Sequence, residues 1–205
     1  LRTHNIQNPF PEEGNRQLVS RIATFNWAPT KIAAENLKKE GVQHILITGN
    51  TVIDTCMGYN LDISYQNKVL VTLHRRENFG TPMEKIFNQI EHLAKENPQL
   101  EFIFPMHPNP NVQRLKPLLK HVNICKPFNY EAMLHIISQC KFVISDSGGI
   151  QEECAAFRKR ILVCRETTER PEGIEAGIAK LVGSNLHPHF AWANEAYTVE
   201  ATNPY

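Results

Sequence analysis

Short apolar runs alternate with helical segments along most of the chain, and this alternation constrains the fold more than any other feature. The predicted strands occupy 44–48, 68–73, 101–104, 122–125, 141–145 and 160–164, and the predicted helices 31–40, 81–96, 111–120, 130–140 and 151–157. Buried strands of this length alternating with helices are typical of a parallel sheet covered on both faces. The predicted fold class is therefore α/β, with a doubly wound parallel sheet.

The balance of charge limits the partners that the chain can have. Lysine and arginine number 22 against 21 aspartates and glutamates, so the formal net charge is +1. A near-neutral surface lacks the positive field that attracts nucleic acid or anionic membranes. No apolar run approaches the ~20 residues of a spanning helix, and no signal-peptide pattern follows the first residues. We therefore expect no nucleic-acid or membrane partner, a cytoplasmic location, and small anionic ligands bound locally.

The cysteines and the paired histidines predict neither a disulfide framework nor a metal centre. The cysteines are Cys56, Cys125, Cys140, Cys154 and Cys164. Their number is odd, their surroundings are apolar, and their spacing is neither C-x-x-C nor that of a zinc finger. We interpret them as reduced core residues. His187 and His189 flank a proline, but no carboxylate or thiol stands at ligand spacing, so no metal site is predicted there.

Polar residues cluster in the loops that follow predicted strands. In a doubly wound sheet, ligands bind in the crevice beyond the carboxyl ends of the strands. Four such loops read HRREN (74–78), PMHPNP (105–110), DSGG (146–149) and RETTERPEG (165–173). Because a rigid sheet positions these loops, we expect the functional site to be built from them.

The DSGG turn is the strongest candidate for an anion site. Ser147, Gly148 and Gly149 leave a predicted strand and enter a predicted helix, so backbone N–H groups, a hydroxyl and a helix N-terminus can converge on one phosphate. The alternative is an ordinary tight turn capped by Asp146 or Ser147. Glu153 lies one helical turn further on, where it can reach a ribose hydroxyl pair or simply be a solvated carboxylate.

The HRREN loop combines a titratable imidazole, His74, with the fixed cations Arg75 and Arg76. This combination suits a diphosphate that must be held and later released. The alternative is a solvated basic loop paired with Glu77, although one carboxylate neutralises only one of the two arginines. His107 lies between prolines in a stiff loop, which suits the presentation of one ring, but a lone loop histidine can equally be structural.

Two adjacent carboxylates, Glu12 and Glu13, follow the Phe10-Pro11 pair, and a helix is predicted to open at 15–16. Paired carboxylates serve in proton transfer when one of them is desolvated. Acidic residues at a helix N-terminus also stabilise the helix dipole without any further role. Spacing alone does not decide between these two interpretations.

Six motifs occur in order over nearly the whole chain, namely PFPEEGNRQL, ITGNTVID, HRRENFG, PMHPNPNV, SDSGGIQEE and TTERPEGIEAG. Together they resemble the non-hydrolysing UDP-N-acetylglucosamine 2-epimerase family. The resemblance implies one half of a glycosyltransferase-B-like fold, in which two Rossmann-like domains hold the sugar nucleotide between them. It also implies interconversion of UDP-GlcNAc and UDP-ManNAc, by elimination of UDP to a 2-acetamidoglucal and re-addition on the other face. No metal or nicotinamide cofactor is implied.

The resemblance implies roles for residues of the DSGG and HRREN loops. Ser147, Gly148 and Gly149 match residues that hold the diphosphate, and Glu153 matches the carboxylate that binds the ribose. His74 matches a histidine near the phosphates that assists the departure of UDP.

Further roles are implied outside those two loops. Glu12 matches a carboxylate of the acid/base group. In bacterial members UDP-GlcNAc also binds beside the active site as an activator, and Glu12, Arg75 and His107 match residues of that second site. The uracil is expected near Pro127 and Phe128.

The chain also departs from the family pattern, in which a Gly-Thr-Arg-Pro-Glu loop, a catalytic aspartate and a catalytic glutamate precede the position of Leu1. We expect residues 1–50 to be the tail of an N-terminal Rossmann-like domain, and 51–205 to be a UDP-binding C-terminal domain without its final helix. Apolar surface around Phe25, Trp27 and Leu37 would then be exposed. This predicts a homo-oligomer or a complementary N-terminal partner.

Three functions are compatible with these features. The first is a UDP-GlcNAc 2-epimerase polypeptide that is inactive or incomplete as this chain alone. The second is a nucleotide-sugar-binding module without catalysis. The third, a glycosyltransferase-B-type transferase domain, is disfavoured because HRREN and TTERPEG are typical of the epimerase.

Overall fold

The computed structural model describes residues 1–197 and 203–205, which form two parallel sheets flanked by helices. The strands are β1 Asn26–Ala28, β2 Ile45–Ile47, β3 Lys68–Thr72, β4 Glu101–Pro105, β5 Asn123–Cys125, β6 Phe142–Ser145, β7 Arg160–Val163 and β8 Ala179–Leu181. The helices are α1 Glu12–Ile22, α2 Lys31–Lys39, α3 Thr51–Gly58, α4 Thr81–Glu96, α5 Pro110–Gln113, α6 Tyr130–Gln139, α7 Gly148–Ala156, α8 Pro171–Glu175 and α9 His187–Asn194. Short 3-10 turns lie at Arg76–Asn78 and Lys116–Leu118.

The larger sheet has six parallel strands in the order β5-β4-β3-β6-β7-β8. From β3 the chain moves outward through β4 to β5, then crosses back to β6 and moves outward in the other direction. The strand order therefore reverses between β3 and β6. In sheets of this kind, the crevice for ligands opens beyond the carboxyl ends of the strands at this reversal. The doubly wound α/β class predicted from the alternation is confirmed.

Both faces of this sheet are buried, and consecutive residues of β3 show why its sequence is a continuous apolar run. Val69 and Val71 face one core, which contains Met83, Ile86 and other residues of α4. Leu70 faces the opposite core, which is formed with α6 and α7. Side chains alternate between the two faces of a strand, so a strand covered on both sides needs an apolar residue at every position.

The predicted helix over 111–120 is wrong. The chain forms α5, which ends at Gln113, and then the 3-10 turn Lys116–Leu118. Pro117 lies in the middle of the predicted helix, where a proline has no N–H to donate and its ring clashes with the preceding turn. The helix predicted at 151–157 is real but begins earlier, at Gly148. The sequence patterns predict no element at β1, α3, α8, β8 or α9.

The N-terminal part has its own two-stranded sheet, β1-β2, covered on one side by α2. Phe25 is 68% exposed and Trp27 74% exposed, as predicted. The prediction for Leu37 is wrong, because this side chain packs against Ala33 and Ala34 of α2 and is only 7% exposed. Exposed apolar residues lie instead at Leu18, Val19, Ile22, Leu46 and Ile47.

Two other expectations concern the cysteines and the membrane. All five cysteines are free, and four of them are buried, whereas Cys125 is partly exposed. Among the residues that the structure describes, no helix combines the length and the apolar character needed to cross a bilayer.

The central position of β3 makes Leu70 a test of the fold. We expect Leu70→Ala to lower the free energy of unfolding by about 3 kcal/mol, because it removes buried methyl groups and leaves a cavity. Leu46→Ala is the matched control at a position that is 59% exposed, with an expected change below about 1 kcal/mol. Urea denaturation followed by circular dichroism measures both. Equal losses in the two variants would contradict the assignment of β3 to the centre of the core.

Candidate functional site

The loops that follow β3 and β6 are joined by one buried carboxylate, that of Asp146. Its oxygens accept hydrogen bonds from the backbone N–H groups of His74 at 3.1 Å and Arg75 at 2.9 Å. The side-chain amide of Asn78 donates to the same group at 3.1 Å and also reaches the carbonyl of Cys164. Asp146 is 0% exposed. It therefore braces the HRREN loop and does not cap its own turn, which corrects one of the two interpretations drawn from the sequence.

His74 is held between a carboxylate and a second imidazole. Its Nδ1 lies 3.6 Å from Oδ1 of Asp146, and its ring stacks on that of His107 with centroids 5.4 Å apart. Burial lowers the pKa of His74, with Asp146 acting in the opposite direction. Burial likewise raises the pKa of Asp146, against its N–H donors and His74. A neutral imidazole at neutral pH follows from the lowered pKa of His74.

A cavity of about 190 Å³ opens at the reversal of strand order, and we call it the switch-point pocket. It is lined by Thr72, Leu73, His74, Pro105, His107, Pro127, Phe128, Met133, Ser147 and Ile150. Five residues predicted from the sequence thus meet here, although they come from four different loops: His74, His107, Pro127, Phe128 and Ser147. Their side chains offer two imidazoles, a hydroxyl and an aromatic ring. Such a pocket suits a flat ring at its apolar end and an anion at its polar end.

The two glycines of the DSGG turn differ in what surrounds them. Gly148 begins α7, and a Cβ built there would collide with the guanidinium of Arg170. Around Gly149 there is open space, so its backbone can be approached closely. The hydroxyl of Ser147 does not cap α7. The first N–H groups of this helix therefore remain available to a ligand.

Glu153 lies further along α7 and is buried, with only 7% exposed. Burial raises its pKa to about 7, although a hydrogen bond from Tyr130 acts to lower it. The hydroxyl of Tyr130 also lies 4.0 Å from the sulfur of Cys56. The solvated surface carboxylate considered above is therefore excluded. Glu153 does not line the switch-point pocket, and its ribose-binding role stays a prediction.

A larger cavity of about 680 Å³ lies on the other side of His74, and we call it the N-terminal cleft. It is lined by Gln7, Asn8, Pro9, Phe10, Glu12, His74, Arg75, Arg76 and Glu77. An oxygen of Glu12 lies 3.7 Å from a guanidinium nitrogen of Arg75. Oε2 of Glu12 and Nε of Arg75 are buried without a hydrogen-bond partner among the described residues. Two of the three residues matched to a second site thus face this cleft, whereas His107 lies in the switch-point pocket.

The two adjacent glutamates of the N-terminal segment have different surroundings. Glu13 is completely buried and accepts hydrogen bonds from the backbone N–H groups of Thr3 and His4. It therefore fixes the position of the segment that precedes α1. Glu12 faces the cleft beside Arg75. The structure thereby separates a structural carboxylate from a carboxylate that is available to a ligand, which spacing could not do.

A largely buried ion-pair network joins the HRREN and RETTERPEG loops to α7, and the motifs did not predict it. Arg165 pairs with Glu77 at 2.6 Å and with Glu169 at 2.9 Å. Arg170 also pairs with Glu169, and it reaches Glu152 of α7 at 2.8 Å. Glu77 is therefore not the partner of the HRREN arginines that the solvated-loop interpretation assumed. The alternating charges of RETTERPEG were a signal for such a network.

One further ion pair brings the N-terminal segment to this network. A guanidinium nitrogen of Arg16 lies 3.5 Å from Glu169. The hydroxyl of Thr30 donates a hydrogen bond to a carboxylate oxygen of Glu172 in α8. The guanidinium of Arg76 donates a hydrogen bond to the backbone carbonyl of Phe10. These contacts hold the N-terminal segment against the rest of the chain, and the contact between Arg76 and Phe10 joins two residues that line the N-terminal cleft.

The network predicts a loss of stability in acid. Burial alone would raise the pKa of Glu169, but the guanidiniums of Arg170 and Arg165 hold it at about 2, below the ordinary 4.5. Since the folded pKa is depressed, this stabilisation is complete above about pH 5 and is lost as the pH falls toward 2. We expect Glu169→Gln to remove this pH dependence and to cost about 3 kcal/mol at pH 7, because two buried guanidiniums lose a counter-charge.

Urea denaturation at several pH values measures this effect, with Glu166→Gln, at an exposed position of the same loop, as the control. If the free energy of unfolding of Glu169→Gln falls between pH 5 and pH 2 as steeply as that of the parent protein, the assignment is contradicted.

A family model and curated proteins similar to this chain point to one family. A family model described as UDP-N-acetylglucosamine 2-epimerase matches residues 1–196. The UDP-N-acetylglucosamine 2-epimerase of Campylobacter jejuni is 44% identical over 211 residues, covering 90% of this chain and 55% of that protein. The enzyme of that name from Bacillus subtilis (strain 168) is 38% identical over 230 residues, covering 100% of this chain and 60% of that protein. The chain thus spans little more than half the length of these relatives.

Solved structures agree with the sequence comparison. The S. aureus MnaA-UDP co-structure superimposes with a TM-score of 0.89 at 38% identity, covering 100% of this chain and 62% of that one. UDP-GlcNAc 2-epimerase from Neisseria meningitidis, bound to UDP-GlcNAc, superimposes with a TM-score of 0.86 at 34% identity, covering 100% and 64% respectively. The resemblance carried by the six motifs is confirmed, and the chain belongs to the UDP-N-acetylglucosamine 2-epimerase family.

Proposed function

We propose that this chain binds the UDP part of UDP-GlcNAc and takes part in its interconversion with UDP-ManNAc. The observation that carries the proposal is the switch-point pocket, where His74, His107, Phe128 and Ser147 meet beside the N-terminus of α7. Solved relatives carry UDP or UDP-GlcNAc. The volume of about 190 Å³ is below that of a typical site for a whole small molecule, so it suits the uracil and the sugar extends elsewhere.

The arrangement suggests a path for the whole ligand. The uracil packs against Phe128, and the diphosphate lies against the hydroxyl of Ser147 and the free N–H groups of Gly148 and Gly149. His74 lines both cavities, so the bond between UDP and the sugar lies next to its ring. The sugar then enters the N-terminal cleft, whose described lining includes Glu12, with its Oε2 buried and without a hydrogen-bond partner among the described residues.

In the proposed reaction, the proton on C2 of the sugar leaves and the bond from C1 to the UDP oxygen breaks. The products of this elimination are UDP and a 2-acetamidoglucal, and re-addition of UDP with protonation on the other face gives the epimer. The lowered pKa of His74 leaves its ring neutral near neutral pH, so one ring nitrogen can accept a proton and the other can donate a hydrogen bond to the departing phosphate. Glu12 belongs to the acid/base group in this proposal, and Glu153 holds the ribose.

We propose further that residues 1–50 belong to an N-terminal domain and 51–205 to a UDP-binding domain of a glycosyltransferase-B-like pair. The separation of the β1-β2 sheet from the six-stranded sheet supports this division. Residues 198–202 of the second segment lie outside the described residues.

The pocket assignment is tested by calorimetric titration with UDP. We expect Ser147→Trp to weaken UDP binding by about tenfold or more, because the indole fills the polar end of the switch-point pocket. Lys95→Trp is the matched control, since Lys95 is exposed near the C-terminal end of α4, far from the loops that follow the strands. Equal UDP affinity in the two variants would remove the basis for the phosphate assignment.

Catalysis is tested separately. Incubation of the purified chain with UDP-GlcNAc and separation of the products by chromatography measures UDP-ManNAc directly. We expect UDP binding without epimerisation by this chain alone, and appearance of UDP-ManNAc would contradict the view that the chain is incomplete.

The exposed apolar residues around β1 and β2 lead to a proposal about assembly. Trp27 is opposite Leu46 in the register of the two strands, and both side chains are mostly exposed. We expect the chain to self-associate through this patch, and Trp27→Ser to weaken the association. Met57→Ser, at another exposed apolar position, is the control. Sedimentation velocity over a range of concentrations measures the effect, and a strictly monomeric parent chain would exclude it.

A further inference from the structure

A cluster of two imidazoles and one carboxylate lies on the surface away from both cavities. His92 and Glu96 are one turn apart on α4, with Nε2 of His92 3.2 Å from Oε1 of Glu96. His187, the first residue of α9, brings its ring to within 5.0 Å of the His92 ring, centroid to centroid. One ligand atom from each of the three residues lies within 4.8 Å of the other two.

The distant segments that form this cluster are tied together by one amide side chain. Gln89, one turn before His92 on α4, donates a hydrogen bond to the carbonyl of Ser184 at 2.6 Å. Its carbonyl oxygen accepts from the backbone N–H groups of Leu186 at 2.7 Å and His187 at 3.3 Å. The backbone that carries His187 is therefore held against α4 by three hydrogen bonds. Only the side-chain torsions remain to be ordered when a ligand binds.

We propose that His92, Glu96 and His187 form a binding site for a divalent transition metal, with Zn²⁺ as the expected ion. Imidazole nitrogen and carboxylate oxygen are ligands that zinc accepts, and three protein ligands leave a fourth position for water. Zinc bonds of about 2.0–2.1 Å in a tetrahedron put ligand atoms about 3.3 Å apart. The His92–Glu96 pair already has this spacing, and His187 reaches it by rotation of its exposed ring.

Sequence analysis predicted no metal at His187 and His189 because no carboxylate or thiol stands nearby in the chain. The structure supplies the carboxylate and the second imidazole from α4. His189 does not belong to the cluster.

An ion bound at this site links α4, which carries His92 and Glu96, to α9, which carries His187. Helix α9 packs on the core next to β7, and Phe190 and Trp192 contribute to that packing. The site is separate from the proposed nucleotide site, because His92 lies about 16 Å along α4 from Thr81 at 1.5 Å per residue. A bound ion stabilises the folded chain since it binds ligands that only folding brings together.

The experiment is calorimetric titration of the tag-free, chelator-treated chain with zinc chloride alone, together with thermal unfolding followed by circular dichroism. We expect one Zn²⁺ per chain with a Kd of about 10 µM or below. The midpoint of thermal unfolding should rise by at least about 2 °C in excess zinc. Calcium and magnesium should give neither effect, because they prefer sites made of oxygen ligands.

Variants locate the ion. His92→Ala and His187→Ala should each weaken binding by about tenfold or more, whereas the control His189→Ala, two positions along α9, should bind as the parent does. These positions are at the surface, so the variants are expected to fold. Absence of zinc binding, or binding that survives both substitutions unchanged because the cysteines supply it, would overturn the proposal.

Discussion

A carboxylate buried at the end of a strand needs donors, and Asp146 finds them on the loop that follows the neighbouring strand. Its hydrogen bonds to the backbone of His74 and Arg75 determine where the HRREN loop turns, and through Asn78 they extend to the end of β7. With that loop held, His74 stacks on His107 and separates the switch-point pocket from the N-terminal cleft. Both cavities therefore depend on one desolvated charge, whose donors offset the free energy of its burial.

A second group of charges, centred on Glu169, explains how the N-terminal segment is held beside the site. Arg165 is buried and Arg170 partly buried, with Glu169 between them, and Arg16 approaches the same carboxylate from α1. Buried ion pairs contribute little net stability but penalise any other arrangement strongly, because an unpaired charge would remain in the interior. The network thus defines the position of the segment that carries Glu12 more than it strengthens the fold. Glu13 completes the anchoring from the other side, through the backbone of Thr3 and His4.

The proposed metal cluster follows the same physical logic at the surface. Gln89 satisfies three backbone groups of the segment before α9, and that segment then brings His187 beside His92. Asp146 and Gln89 each form hydrogen bonds with backbone groups of a different segment. As a result, His74 lies beside His107, and His187 lies beside His92. Such contacts join residues far apart in the chain, so neither periodicity nor motif spacing reveals them.

The sequence by itself determined the fold class and placed the polar loops at one edge of the sheet, because strands buried on both faces must be continuously apolar and the carboxyl ends of parallel strands lie at one edge. The ordered motifs also assigned His74, Phe128 and Ser147 to the bound UDP, whereas they assigned His107 to a second site, and only the folded chain places it beside His74. Local signals failed where tertiary contacts decide. Pro117 divides a predicted helix, Leu37 of α2 is buried in a cluster with Ala28 of β1 and Ile45 of β2, and Glu77 pairs with Arg165 and not with its neighbours. Only the tertiary structure showed that Glu12 and Glu13 have different surroundings, and only it brought His92 next to His187. Burial and hydrogen-bond partners are properties of the packed chain and not of the local amino-acid sequence.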